Sequence, residues 1–308
     1  PDLVWAHQQL TAGVPVQVDL RVTFGPARAH SLHFGCRPPS PPDLLERAVA
    51  AAKAADAVAL VVGENQDSAL ESADRTSTRL PPEQERLIEQ VCAANPRTMV
   101  ILNAAHATDL ACAEQAAALM CVWFPGQEFG PALAAVLAGE LEPGGRLPVT
   151  FAREERDYPI FDLTPVKHDL VYETEPVIGY RHFNGKGIEP RFAFGEGFGY
   201  ATFAFEGLRI EGRRLEVTVR NTSERAGKEV VQVYVRPPAG VGTGALELKA
   251  FAPIWLGAQT SQLVGLELDD RAVRHWSDGR WQITSGEYEV RVGHSIRDLP
   301  LRGGIIVG

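Results

Sequence analysis

The chain has 308 residues, too many for one typical small domain and enough for two that each bury a core. With 45% hydrophobic and 22% charged residues its composition is that of an ordinary globular protein. A net charge of −9 gives no electrostatic reason to expect nucleic acid or an anionic membrane surface as partner, and no apolar run is long enough to cross a bilayer.

Pro1 opens the chain without the basic region and apolar run of a signal peptide, so the compartment stays open, with the cytoplasm the preferred reading. Residues 1–35 alternate as strands do, at Val16 to Phe24 and at Ser31 to Phe34, with Gly25-Pro26 as a turn. The run Cys36-Arg-Pro-Pro-Ser-Pro-Pro42 reads as a stiff linker. Asp43 is placed to cap a helix from Leu44 to Ala55. The continuously apolar Ala57-Val-Ala-Leu-Val-Val-Gly63 then predicts a parallel strand covered on both faces.

Directly after that strand the loop 64–81 carries Glu64, Asp67, Glu71 and Asp74, where open α/β sheets bind their ligands. Pro82 starts a predicted helix to about Ala94, followed by a strand at 98–103, a helix from Ala107 to about Ala116, a strand at 118–124 and a helix at 128–139. This alternation predicts a mostly parallel sheet with helices on both faces. Residues 152–204, rich in Pro, Gly and aromatic side chains, are too long for an ordinary connection and read as an ordered arm. Beyond 205, short alternating strands at 215–219, 230–235, 263–268 and 288–292 have the spacing of a β-sandwich.

Several signals carry no chemistry on this reading. Cysteines 36, 92, 112 and 121 have neither zinc-type pair spacing nor the density of a disulfide scaffold, and are expected as buried reduced thiols. The eight histidines show no i, i+4 pair or cysteine partner, so no metal site is expected. Gly195-Glu-Gly-Phe-Gly199 follows no βα turn and lacks the spacing of a phosphate loop. Asn221-Thr-Ser223 fits a glycosylation acceptor, and equally a turn.

The motif Glu71-x-x-Asp74-Arg75, followed by Leu80-Pro81 and a helix, resembles the corresponding segment of family 3 glycoside hydrolases. The likeness runs on in order through Asn95-Pro96, Trp123-Phe-Pro-Gly-Gln-Glu-Phe-Gly130, Pro143-Gly-Gly-Arg-Leu-Pro-Val-Thr-Phe151, Ile178-Gly-Tyr-Arg-His-Phe183, Phe192 to Tyr200 and Asn221 to Val235. It implies a multidomain fold: a three-layer α/β sandwich with a mostly parallel sheet, followed by a fibronectin type III-like β-sandwich. Residues 1–35 would be the last strands of an inserted β-sandwich module, 36–151 the α/β domain, 152–204 the arm and 205–308 the fibronectin type III-like domain.

For function the resemblance implies the C-terminal part of a retaining β-glycosidase, most simply a β-glucosidase. Glu71 would be the general acid/base, with Asp74 and Arg75 orienting its loop. The nucleophile would be an aspartate on an N-terminal (β/α)8 barrel that these residues do not include, so the chain alone is expected to be inactive. The implied partner is a β-glucoside or related oligosaccharide, and no cofactor is needed, because carboxylate chemistry performs both steps. The chain departs from the family pattern at Ser72, where glycine is usual, and at Ser68-Ala69, where an aromatic is usual. Glu64 is the rival acid, outside the matching motif position. A non-catalytic carbohydrate-binding or scaffold protein descended from such a hydrolase is the alternative function.

Overall fold

A computed structural model describes residues 9–11, 13–19, 21, 23, 41–65, 75, 77–160, 164–171 and 177–308. The chain divides into two compact units, 1–44 and 45–308. In the first, no strand runs through the described residues of the expected 16–24 segment, and Val14, Val16 and Val18 are exposed. The expected strand at 31–34 and the linker as far as residue 40 lie outside the described residues.

From there the chain runs α1 (Leu44–Ala54), β1 (Val58–Gly63), α2 (Pro82–Ala94), β2 (Thr98–Asn103), β3 (Ala118–Cys121) and α3 (Phe129–Leu137). The strands form a parallel sheet in the order β1-β2-β3. Pro82 starts α2 at the position where a missing N–H costs nothing. Ile88, Val91 and Cys92 of this helix are buried, and Ile88 and Cys92 pack with Val62, Val100 and Leu102. Asn95 ties the end of α1 to the end of α2: its Nδ2 donates to the Ala52 and Ala55 carbonyls at 2.9 and 2.8 Å, satisfying groups the helix end leaves open.

Three expectations need correction here. The strand at 57–63 is not covered on both faces: Val62 is buried, but Ala59 is exposed and Val61 is 48% exposed. An apolar run records what a strand can bury, and covering elements decide what it does bury. The helix expected at 107–116 is a single 3-10 turn at Ala111–Ala113. There the Asp109 carboxylate accepts the Ala111 N–H at 2.9 Å and its own N–H donates to the Thr78 carbonyl, a local alternative to helical bonding. The third strand stops at Cys121 rather than 124, since Trp123 takes a positive φ of 54° that no strand accommodates.

The arm returns to this layer through Phe151, which bridges to Phe192 with ring centroids 6.0 Å apart. Its helix, α4 (Tyr180–Lys186), buries Tyr180 and Phe183. Tyr180 stacks on Phe194 at 4.4 Å, stands edge-on to Tyr234 at 6.2 Å, and accepts the Leu248 N–H. These aromatics are packing anchors.

The remaining strands are β4 (Phe203–Glu211), β5 (Arg214–Asn221), β6 (Gly227–Arg236), β7 (Glu247–Leu256), β8 (Ser261–Glu267), β9 (Arg274–Ser277), β10 (Arg280–Ile283), β11 (Gly286–Gly293) and β12 (Leu301–Val307). Antiparallel sheets β12-β11-β6-β7 and β4-β5-β8 enclose a core that includes Leu215, Val217, Val233, Val290 and Ile305, while β9 and β10 form a separate hairpin. The fold class is thus the expected one, α/β with a parallel sheet followed by an all-β sandwich.

The two regions are joined by polar contacts. Arg146 reaches the buried Glu229 at 2.7 Å, and His294 Nδ1 lies 2.8 Å from the other oxygen of that carboxylate. The Gly195 carbonyl accepts a bond from Gln232 Nε2 at 2.9 Å. Gly195 has φ +79°, and a Cβ there would lie 2.1 Å from Gln232 Oε1, so this glycine-rich loop serves close packing. Asn221 is fully buried, donating to the Arg225 and Leu256 carbonyls and accepting from Ser223, so it acts as a turn residue. Cys92 is buried and Cys112 and Cys121 are partly buried free thiols, and burial pushes the Cys112 pKa up to about 11. Among the described residues no helix is long and apolar enough to cross a membrane.

Candidate active-site loop

The loop that follows β1 is set by tight constraints at its first residues. Gly63 pairs in parallel register with Asn103, and a Cβ on Gly63 would fall 1.9 Å from the Asn103 carbonyl oxygen. Only glycine allows this approach. Gln84 of α2 clamps the same peptide, its Oε1 accepting the Gly63 N–H at 2.8 Å and its Nε2 donating to the Gly63 carbonyl at 2.7 Å. The Glu64 N–H then donates to the Asn103 carbonyl at 2.9 Å, so the strand ladder extends into the loop.

Glu64 points inward, its side chain only 3% exposed. One carboxylate oxygen accepts the Ala105 N–H at 2.8 Å; the other is ion-paired with Arg75 and lies 3.4 Å from His106 Nδ1. Burial works against the charge on Glu64, but the Ala105 N–H and the Arg75 hydrogen bond and charge outweigh it and hold the carboxyl below its ordinary pKa. Burial, aided by the Arg75 charge, lowers the His106 pKa, so the imidazole is neutral at pH 7. Glu64 therefore has no proton to give near neutrality. The trio brings Arg75, late in the loop, against Glu64 at its start and His106 beyond β2.

The far end of the loop is held as firmly. Glu155 of the arm accepts bonds from Ser77 Oγ at 2.6 Å, Thr78 Oγ1 at 2.9 Å and the Thr78 N–H. Burial resists its charge, yet these donors keep its carboxyl below the usual range. Arg79 forms a two-pronged pair with Glu85 at 2.9 and 2.7 Å, and Leu80 is buried beneath.

Of the site residues expected from sequence, Glu71 and Asp74 lie outside the described residues, as does Asp67, whereas Arg75 is described and meets Glu64. Sequence reasoning weighed Glu64 only as a rival acid and missed both His106 and Glu155 as partners of the loop. Gly63 was the available signal for Glu64, since a glycine at the end of an apolar strand marks a backbone that must pass close to another. Nothing local marked Glu155.

The fold is a parallel α/β layer with an acidic loop at the carboxyl end of its first strand, joined to an antiparallel β-sandwich. Residues 7–200 match the glycosyl hydrolase family 3 C-terminal domain and residues 229–296 the fibronectin type III-like domain. The chain belongs to glycoside hydrolase family 3. It is 33% identical over 290 residues to a probable beta-glucosidase I from Aspergillus terreus, covering 88% of this chain and 34% of that protein. It is 36% identical over 271 residues to an exo-alpha-(1->6)-L-arabinopyranosidase from Bifidobacterium breve, covering 85% of this chain and 36% of the relative. The crystal structure of a Bifidobacterium adolescentis family 3 beta-glucosidase superposes with a TM-score of 0.82 at 32% identity, over 88% of this chain and 42% of the other. The chain thus spans about a third of the length of the curated relatives it matches.

Proposed function

We propose that these residues form the C-terminal part of a retaining β-glycosidase, most simply a β-glucosidase, with Glu71 as its general acid/base. One observation carries the choice of carboxylate: Glu64, the rival on the same loop, is buried in an ion pair and held ionised. A general acid must hold a proton at working pH. The Arg75–Glu64 pair also supports a loop-orienting role for Arg75, and the same role is proposed for Asp74.

In this reading an aspartate on a barrel outside these residues attacks the anomeric carbon while Glu71 protonates the departing oxygen. Glu71 then takes a proton from water, which opens the glycosyl-enzyme with net retention. No cofactor enters either step. A relative named for an arabinopyranosidase matches as well as one named for a β-glucosidase, which supports assigning sugar choice to the barrel.

The test is Glu71→Gly in an enzyme carrying the barrel. Poor leaving groups should suffer most. An activated aryl glycoside should still form the glycosyl-enzyme, and azide should speed its turnover and yield the β-glycosyl azide. Glu64→Gln should show no azide response. Equal losses on good and poor leaving groups without an azide product, in a folded enzyme, would remove Glu71 from the role. The 308-residue chain alone should not hydrolyse aryl β-glycosides, and turnover abolished by Glu71→Gln would place the nucleophile within it.

A further inference from the structure

A cleft of about 1210 Å³ opens in the C-terminal region and shares no residue with the loop 64–81. One wall is the β9–β10 hairpin. The other is the stretch 237–245, where Gly240, Gly242 and Gly244 all take positive φ. A Cβ on Gly242 would meet the His275 Cβ at 3.2 Å, so this glycine-rich backbone lies directly against the hairpin.

Trp276 and Trp281 stand opposite each other in the hairpin register, with ring centroids 5.5 Å apart and planes at 77°. Such a cross-strand pair steadies a short hairpin, which accounts for the contact between the rings. It does not account for their exposure, 58% and 64%, beside the cleft that both line.

Charge is the second observation. In a chain of net charge −9, the cleft is lined by Arg181, Lys249, Arg271 and Arg274 against the single carboxylate Glu247. Arg181 and Lys249 both bind Glu247, at 2.9 and 2.8 Å, leaving one positive charge in excess there. Arg274 shares Asp270 with Arg213, and Arg271 lies exposed on the same rim. His275 adds a buried Nδ1 without a hydrogen-bond partner.

We propose that this cleft binds an acidic oligosaccharide, with a pyranose ring laid on Trp276 or Trp281 and its uronate carboxylate met by Arg271 and Arg274. A pyranose presents an apolar C–H face that suits an indole, its hydroxyls suit the exposed peptide groups of the glycine-rich stretch, and a carboxylate fits the guanidinium fork. Rings at 77° form no parallel-walled slot for a flat base, and AMP, which would meet the same cations, is the competing ligand in the test. The proposal does not depend on the role of Glu71.

The experiment is calorimetric titration of the 308-residue chain with β-D-glucuronosyl-(1→4)-D-glucose and with cellobiose, which differ only at one C6. The uronate should bind about 10-fold more tightly, as a charge-assisted pair allows. That margin should shrink as NaCl rises from about 0.05 M to about 0.5 M, since the rim is solvent-exposed. Trp276→Ala and Arg271→Ala should each weaken the uronate about 10-fold, with tryptophan fluorescence reporting the same site. If Trp276→Ala unfolds the hairpin, Trp281→Phe and the exposed Arg271→Ala give the answer. Equal affinity for the two disaccharides, no binding of either at millimolar concentration, AMP binding as tightly as the uronate, or no effect of Arg271→Ala would each overturn the proposal.

Discussion

In the C-terminal sandwich Val217, Val233 and Val290 are fully excluded from solvent, whereas in the parallel sheet Val61 remains 48% exposed between the half-buried Leu60 and the buried Val62. The sandwich closes its core with its own strands: the inner faces of two antiparallel sheets cover each other, so every second residue is buried by the same architecture that repeats along the chain. The α/β layer recruits its cover from remote places. Leu80 comes from the loop, Ile88 from α2, Leu110 from the segment beyond β2, Phe151 from just before the arm and Phe192 from within it. α3, although apolar, buries none of its residues among those described. The lesson is that the sandwich carries its stability locally, while the layer bearing the acidic loop depends on pieces brought to it.

The link between the two regions offers the largest test. Arg146→Ala leaves the buried Glu229 carboxylate without its guanidinium partner, and breaking such a pair costs about 3–5 kcal/mol. Urea unfolding should show that loss, and a change below about 1 kcal/mol would mean the pair is solvated rather than buried. Acid supplies a companion measurement. Burial resists ionisation of Glu229, but its His294 hydrogen bond and the Arg146 charge outweigh that and lower its pKa in the folded state. Its stabilisation is therefore complete above the ordinary carboxylate value of 4.5 and lost as pH falls from there through the lowered folded value. Glu229→Gln should flatten that part of the stability profile.

A matched pair of substitutions sharpens the contrast between the sheets. Val217→Ala, at a site with no exposure, should cost about 2 kcal/mol, while Val61→Ala should stay within about 0.5 kcal/mol. Equal losses from the two would show that the exposed face of β1 is covered in the folded protein. A smaller loss than at Val217 is expected at the loop entrance. Gln84→Ala removes both bonds to the Gly63 peptide and should cost about 1 kcal/mol, read most directly as faster amide exchange at Gly63.

Much of this was legible in residue order. Pro82 announced α2, alternation marked β5, β6, β8 and β11, and Asp74-Arg75 with Leu80-Pro81 marked the family. Alternation did not separate the exposed β9–β10 hairpin from the sandwich, because Trp276 and Trp281 suit a strand equally well whether the rings end in a core or in solvent. The apolar 107–116 segment looked helical because the sequence does not show that Asp109 will bond its own neighbours and the Thr78 carbonyl.

The sequence by itself determined the period of α2 and of the strands β5, β6, β8 and β11, the family and the loop on which the acid/base is proposed, since all of these rest on residue types at short spacings. Only the tertiary structure decided which loop carboxylate is locked. Parallel pairing of Gly63 with Asn103 sets the strand ends side by side, so Glu64 reaches the Ala105 N–H and His106 that the sequence holds far away. A carboxylate's protonation is fixed by the donors and charges around it in space, and those neighbours exist only once β1 and β2 have paired.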